Sequence, residues 1–372
     1  MSAPRHHTSS FLYAQAQGRD SDKLWEQLHP DPAVVFLFLS PDDHMDSVTR
    51  EAYKRWGSRV VGCTTAGEIG TAGYSKGGTV ACSISKDAMS AHTIILDQLD
   101  QLNDEALTKW QQEWTQSSPA GSGVAVLLVD GLSHQEAYLA AKIQPYLLGR
   151  PMVGGSAGDN LAMLETKVIA NGTLQPGCAT LTMLNNGSLK ASPFQFQDVE
   201  AISEPLVVTG VDRAKQLVHE INGRPALELY AALIERPVDN ITQDDYSAHS
   251  LILSVGGTSY IRSISGIDPN AGLVLYSTIE EGMIVRIGRS GDTLNALQHH
   301  VQQHQFPNQS LAGSLVFDCI HRRLDLEREN HLQAAGALMQ DMRSTGFASY
   351  GEMIDNMHVN QTCTGVHFME LT

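Results

Sequence analysis

The 372-residue chain is short of positive charge, of paired cysteines and of long apolar runs, and each shortage closes off a class of function. Lys and Arg number 25 against 41 Asp and Glu, a formal net charge of −16. That balance argues against a nucleic-acid backbone or an anionic membrane as the main partner and leaves room only for a local basic pocket. No apolar run reaches the roughly 18 residues that a membrane helix needs. The longest are strand-sized, at residues 33–39 and 124–129, and the opening MSAPRHHTSS lacks the apolar core of a secretion signal. The five cysteines contain no C-x-x-C pair. A zinc ribbon, a disulfide framework and covalent c-type haem attachment are thereby disfavoured, and a cytoplasmic location is expected.

What is present is a core-forming composition: 42% hydrophobic and 18% charged residues, on a length that suggests about two domains. The 15 histidines stand out. So does a glycine-rich stretch, VVGCTTAGEIGTAGYSKGGTVACSIS, at residues 60–85. Glycines after a strand often cradle phosphate, but here no Lys-Ser/Thr follows and the loop carries Glu68, which would repel an anion.

The stretch has relatives within the chain. Three times an apolar strand ends in a polar turn bearing a histidine, His44, His134 or His321. An amphipathic helix follows, then a small-residue strand and a Gly-acid turn: Gly67-Glu68, Gly158-Asp159 or Gly351-Glu352. A further strand carries Cys82, Cys178 or Cys363. In the third copy one helix is expected over residues 325–343, from the spacing of Leu324, Leu332, Ala335, Leu338 and Met342. The repeated glycines therefore read as structural corners that permit a tight turn and close strand approach. The cysteines read as small buried strand residues.

Between the second and third copies, residues 221–237 read as a turn and a helix started by Pro225, and 249–292 as four or five strands. The expected fold is mixed α/β: repeated β-α-β-β units form mixed sheets flanked by helices. The expected divisions are a two-copy domain at 20–200, a connecting helical region at 201–245, and a C-terminal domain at 246–372.

The segments VVGCTTAGEI, PMVGGSAGDN, INGRPALELY, YIRSISGID, EEGMIVRIG, GFASYGEM and HVNQTCTGV resemble the FIST family, in both its N-terminal and C-terminal domains, over roughly residues 20–370. SYGEM, MHVNQTCTGV and DCIHRRL are similar to the nitric-oxide-sensing haem branch of that family (NosP). The resemblance implies an intracellular sensor that is not an enzyme. It further implies a b-type haem, nitric oxide as the ligand of ferrous iron, and a separate histidine kinase as partner. A homodimer is compatible with it. The alternative is a FIST module that binds a small organic ligand, such as an amino acid, without haem.

A haem site needs an axial donor, an apolar pocket and polar or cationic groups near the propionates. His358, in the motif that the resemblance marks out, is the first candidate for the iron ligand, with His321 and His249 as alternatives. Arg322 and Arg323, beside His321, are of a kind that pairs with propionates. Arg262 is a lone cation in an apolar strand, suited to a ligand carboxylate or to an internal pair with Glu280 or Glu281. Tyr350, Glu352 and Asn360 are candidates to line the same site. His44 and His134 read as neighbours of helix caps. His299, His300 and His304 lie on a polar helix, where His300 and His304 share a face with metal-ligand spacing but read first as solvated. Hydrolase readings find no nucleophile elbow, and Asp42-Asp43 and Asp244-Asp245 read as caps and turns.

Overall fold

The structure, a computed structural model, describes residues 9–17, 21–42, 44–117, 122–268, 272–277, 279–303 and 310–370. The first copy runs β1 (Phe11–Gln17), α1 (Ser21–Trp25), β2 (Pro32–Leu39), α2 (Met45–Trp56), β3 (Val60–Thr64), β4 (Glu68–Gly70), β5 (Gly73–Ser75) and β6 (Gly78–Ser85). The second repeats that order: β7 (Met89–Leu96), α3 (Asp104–Ser117), β8 (Gly123–Val129), α4 (Glu136–Ile143), β9 (Met152–Ser156), β10 (Val168–Ala170), β11 (Thr173–Gln175) and β12 (Ala179–Asn186). The third opens with β13 (Leu189–Gln197) and is then interrupted by β14 (Val199–Ala201), β15 (Leu206–Asp212), β16 (Leu217–Ile221), β17 (Arg224–Pro225), α5 (Ala226–Leu233), α6 (Gln243–Ala248), β18 (His249–Val255), β19 (Thr258–Arg262), β20 (Ile264–Asp268), β21 (Gly272–Leu275) and β22 (Ile284–Ser290). It resumes with α7 (Thr293–Gln303), β23 (Ser310–Cys319), α8 (Ile320–Arg328), α9 (Leu332–Asp341), β24 (Ser344–Ser349), β25 (Glu352–Ile354), β26 (Met357–Val359) and β27 (Thr362–Glu370).

The central strand of each copy is apolar on both faces because both are covered. In β8, Val124, Val126 and Leu128 face a core shared by all three copies. The alternate residues Ala125, Leu127 and Val129 face an outer cluster with Trp110, Trp114 and Leu139. In β2 the same alternation sends Val34, Phe36 and Phe38 inward and Val35, Leu37 and Leu39 out toward Trp25 and Trp56. The helix-linked pairs β2/β3, β8/β9 and β23/β24 are parallel. Every other pairing in these sheets is antiparallel.

Each copy builds a six-stranded sheet, but the short hairpin at one edge always comes from another copy. The β10–β11 hairpin of the second copy closes the first sheet on β3. The β25–β26 hairpin of the third closes the second on β9. The β4–β5 hairpin of the first closes the third on β24. The three copies are thus locked in a ring by exchanged hairpins. The interrupting residues form a nine-stranded sheet with its own core around Tyr230, Leu251 and Val285. Five of its strands fall within 249–290, and Pro225 sits at the N-cap of α5, both as the sequence suggests.

The mixed α/β fold and the repeats are as expected, with two corrections of detail. The helix expected over 325–343 is two helices, because Asn330 takes a left-handed backbone (φ 59°) between α8 and α9. Two of the three cysteines sit on corresponding strands, at different positions, and the third lies just before the corresponding strand of the second copy. Cys82 is mid-strand opposite Phe36, Cys363 is near the start of β27 opposite Asp318, and Cys178 precedes β12. All are buried, so the repeat requires a small apolar strand residue without fixing where cysteine supplies it.

The Gly-acid turns are corners, as read from the sequence. Gly67 has φ 127°, and a Cβ there would overlap the Arg323 guanidinium, which donates to the Ala66 carbonyl at 3.1 Å. A Cβ on Gly351 would overlap the His358 ring.

Candidate functional site

Where the hairpin of the third copy docks on the second, a cavity of about 80 Å³ remains. Gly131, Leu132 and His134 come from the turn after β8, and Glu136 from the first turn of α4. Cys319, Ile320 and His321 mark the passage from β23 into α8. Tyr350, His358 and Asn360 belong to the exchanged hairpin and its flanks. Tyr276 reaches in from the inserted sheet, and Leu161 and Met163, half exposed, form the rim. The cavity lies at the C-terminal ends of the parallel strands, where open α/β sheets collect their sites.

Five residues singled out in the sequence meet here: His134, His321, Tyr350, His358 and Asn360. His358 is 6% exposed and makes no side-chain hydrogen bond among the described residues, and its Nε2 is wholly buried against Gly351. Burial, with the charge of Arg262 and of His134 behind it, brings its pKa down to about 3. His321 stands edge-on to the Tyr276 ring at 5.6 Å, its Nδ1 also buried without a partner among the described residues. Burial lowers its pKa as well. Two neutral imidazoles with unmet hydrogen-bonding capacity therefore border one small space, an arrangement that costs stability unless something fills it. His134 holds a left-handed backbone (φ 56°) at the exposed edge.

Asn360 Oδ1 accepts from Ser277 Oγ at 2.5 Å, and its amide nitrogen donates to nothing among the described residues. The Tyr350 hydroxyl is fully engaged: it donates to Asp159 Oδ1 and accepts from Leu161 N at 2.8 Å. Burial alone would raise the Asp159 pKa. The Tyr350 hydroxyl and the amides of Leu164, Glu165 and Met163 outweigh it and hold the carboxyl low. Tyr350 thus offers the cavity its ring and clasps the rim loop.

The residue that sequence reading missed is Glu136. It is 5% exposed, and Ser156 Oγ donates to its Oε1 at 3.0 Å. Burial pushes its pKa up to about 7, and the neighbouring Asp130 adds to the rise. An acid in the first turn of a helix is ordinary in a sequence; only the packing of α4 under the exchanged hairpin makes this one unusual. Glu352, outside the lining, is fully buried and takes a 2.6 Å bond from Ser349 Oγ. Burial drives its pKa well up, so it is a neutral acid.

The remaining candidates lie outside the lining. Arg262 is buried and donates to the carbonyls of His358 at 2.6 Å and Ile261 at 3.3 Å, with no ion pair among the described residues. Burial lowers its pKa to about 10. Glu280 pairs with Arg213 at 2.8 Å, and Glu281 accepts from Val211 N at 3.4 Å. Arg322 is committed to Asp318 at 2.8 Å and Asp198 at 3.1 Å. The Nδ1 of His249 contacts the Asp245 carbonyl at 2.8 Å in the inserted sheet. His44 caps α2 without a side-chain cap bond. His299 is exposed beside Gln303. His300 is not solvated: it is buried, stacked on Phe196 and tilted against Phe194, with Nε2 3.2 Å from that of His367. His304 lies outside the described residues. Among the described residues no group of three or more His, Cys, Asp or Glu is placed to hold a metal ion. Nor is any helix among them long and apolar enough to cross a membrane.

A haem does not fit this cavity. Neutral imidazoles are suitable donors, but 80 Å³ is about half the roughly 150 Å³ that holds benzene, far from a macrocycle. The His358 Nε2 lies against Gly351, and the Arg322 guanidinium expected near the propionates is bound to two aspartates.

The model of the FIST N domain matches residues 33–224, and that of the FIST C domain residues 226–355. No curated protein matches the chain. A crystal structure of chorismatase aligns over 98% of this chain and 99% of that one, with 10% identity and a TM-score of 0.35, too slight a likeness to carry an argument.

Proposed function

The chain belongs to the FIST family, whose domains are sensory, and from that premise we propose that it senses a small organic molecule bound in the cavity between its second and third copies. One observation carries the proposal: His321 and His358, both neutral and without side-chain hydrogen bonds among the described residues, border a small opening beside Glu136 and the Asn360 amide. Buried polar groups are nearly always paired, and exceptions call for an explanation. A ligand that pairs them supplies one. The cavity joins two copies and the inserted sheet through Tyr276, so occupancy acts on three parts of the chain at once. A ligand signals by binding one arrangement of them better than another.

The size of the cavity favours a ligand of a few heavy atoms, amino acids being the largest class suited to it. A second reading rests on the family resemblance and not on this cavity: a b-type haem, nitric oxide as the signal, and a separate histidine kinase that receives it. Thermal denaturation against panels of amino acids, amines and carboxylates tests the first reading, since a ligand at 100 times its Kd adds about 2.7 kcal/mol. The expected result is a raised Tm with at least one class, lost in Glu136→Gln. No shift with any panel, together with a Soret band and a raised Tm on adding haemin, would transfer the conclusion to the second reading.

A further inference from the structure

We propose that this cavity selects a small organic cation, a primary ammonium of a few heavy atoms, with Glu136 as its counter-ion; the proposal rests on the small-ligand reading above. Glu136 is the carboxyl of the lining, and no Lys or Arg stands among the described lining residues. An ammonium is a pure hydrogen-bond donor. The lining offers what such a donor needs: the Glu136 carboxylate, and an unprotonated ring nitrogen on each of His321 and His358, neither of which has a side-chain hydrogen bond among the described residues. The rings of Tyr276 and Tyr350 add aromatic walls, which attract cations through their negative faces. The free Asn360 amide takes an oxygen wherever the ligand carries one beyond the ammonium.

The charges around Glu136 point the same way. Asp130, at the end of β8, is buried and accepts from Leu132 N at 3.0 Å. His134 lines the same cavity from the turn, Cys319 and His321 from the β23–α8 passage, and His358 from β26. None of these side chains is a lysine or an arginine. Arg262 is the opposing charge, but it stands behind His358 and is held on that residue's carbonyl. A carboxylate in contact with the ligand outweighs a guanidinium one side chain further away, because the interaction falls with distance.

Glu136 titrates near neutrality, so binding couples to a proton: the incoming ammonium displaces the carboxyl proton to solvent and forms an ion pair. Affinity then rises by up to about tenfold per pH unit below pH 7 and levels off above it. A carboxylate ligand gives the reverse trend and an amide a flat one.

Titration calorimetry on the full chain with ethylammonium, acetamide and acetate, from pH 5.5 to 8.5 in two buffers of different ionisation enthalpy, tests this. Ethylammonium is expected to bind at least tenfold more tightly than the other two at pH 8, with proton release below pH 7. Glu136→Gln keeps an oxygen for Ser156 and is expected to lose at least tenfold in affinity together with the pH slope. If circular dichroism shows that variant unfolded, the pH slope and proton count of the unaltered chain decide. Tighter binding of acetate or acetamide, or pH-independent binding of ethylammonium, overturns the cation assignment and leaves the small-ligand reading standing. No binding of any of the three overturns both.

Discussion

Two corners of the ring are built from corresponding elements and end in opposite states. At one, the β25–β26 hairpin brings Glu352 and His358 to the second copy. At the other, the β4–β5 hairpin brings Glu68 and Tyr74, at the same register, to the third. Tyr74 donates to Asp318 Oδ2 at 2.7 Å, Arg322 spans Asp318 and Asp198, and Thr293 Oγ1 donates to Asp198 at 2.5 Å. Arg322 also lies 5.0 Å over the Phe196 ring. Every strong group there has a partner, and the network ties the entry and exit of the inserted sheet to the third copy. At the open corner the imidazoles are unmet and a cavity remains. The same scaffold thus separates a corner that holds the chain together from one that has room for something else.

The largest expected effect falls on the closed corner. Arg322→Ala strands Asp318 and Asp198 in the interior and is expected to destabilise the chain by about 3–5 kcal/mol in urea denaturation. A loss below about 1 kcal/mol would erase the contrast between the corners.

Next comes the pH dependence of the open corner. A rise in the Glu136 pKa from 4.5 to about 7 means that the folded chain holds a proton that the unfolded chain releases. Stability from this group is therefore full below pH 4.5, falls as pH rises toward 7 and is gone above it, an upper bound of about 3 kcal/mol. Glu136→Gln is expected to remove that slope between pH 4.5 and 7, and an unchanged slope would deny Glu136 its unusual state.

Tyr350→Phe keeps the ring in the wall and breaks the clasp on Asp159, at an expected cost of about 2 kcal/mol. Hydrogen exchange at Leu161, Met163 and Leu164 should quicken in that variant; unchanged exchange would mean that Tyr350 does not hold the rim. The smallest effect is expected for His358→Leu. Because the ring makes no hydrogen bond among the described residues, its apolar replacement should stay within about 1 kcal/mol of the parent while ligand binding is lost. A larger destabilisation would give His358 a structural partner.

The sequence made the three copies and their central strands legible because those strands are covered on both faces and read as unbroken apolar runs. The exchanged hairpins were not legible. β4, β10 and β25 are three residues each and pass for loops until a strand of another copy is placed beside them. The interruption after β13 hides for a related reason, since its partner β27 lies beyond the inserted sheet in the sequence. His134, His321, Tyr350, His358 and Asn360 were found because repeat position and motif pointed to them. Glu136 was missed because its environment is made by the docked hairpin, not by its neighbours in sequence. The burial of His300 was missed because its partner His367 lies 67 residues away. Arg322 and Arg323 looked available for an anion because the Asp198 carboxylate and the Ala66 carbonyl that engage them lie 124 and 257 residues away in the sequence.

The most direct measurement is ¹⁵N NMR of the histidine imidazoles during titration with ethylammonium at pH 8. Shifts at His321 and His358, with His300 and His367 unmoved, are the expected result. Shifts confined to His300 and His367, or spread evenly over all the histidines, would contradict the assignment of the open corner as the ligand site.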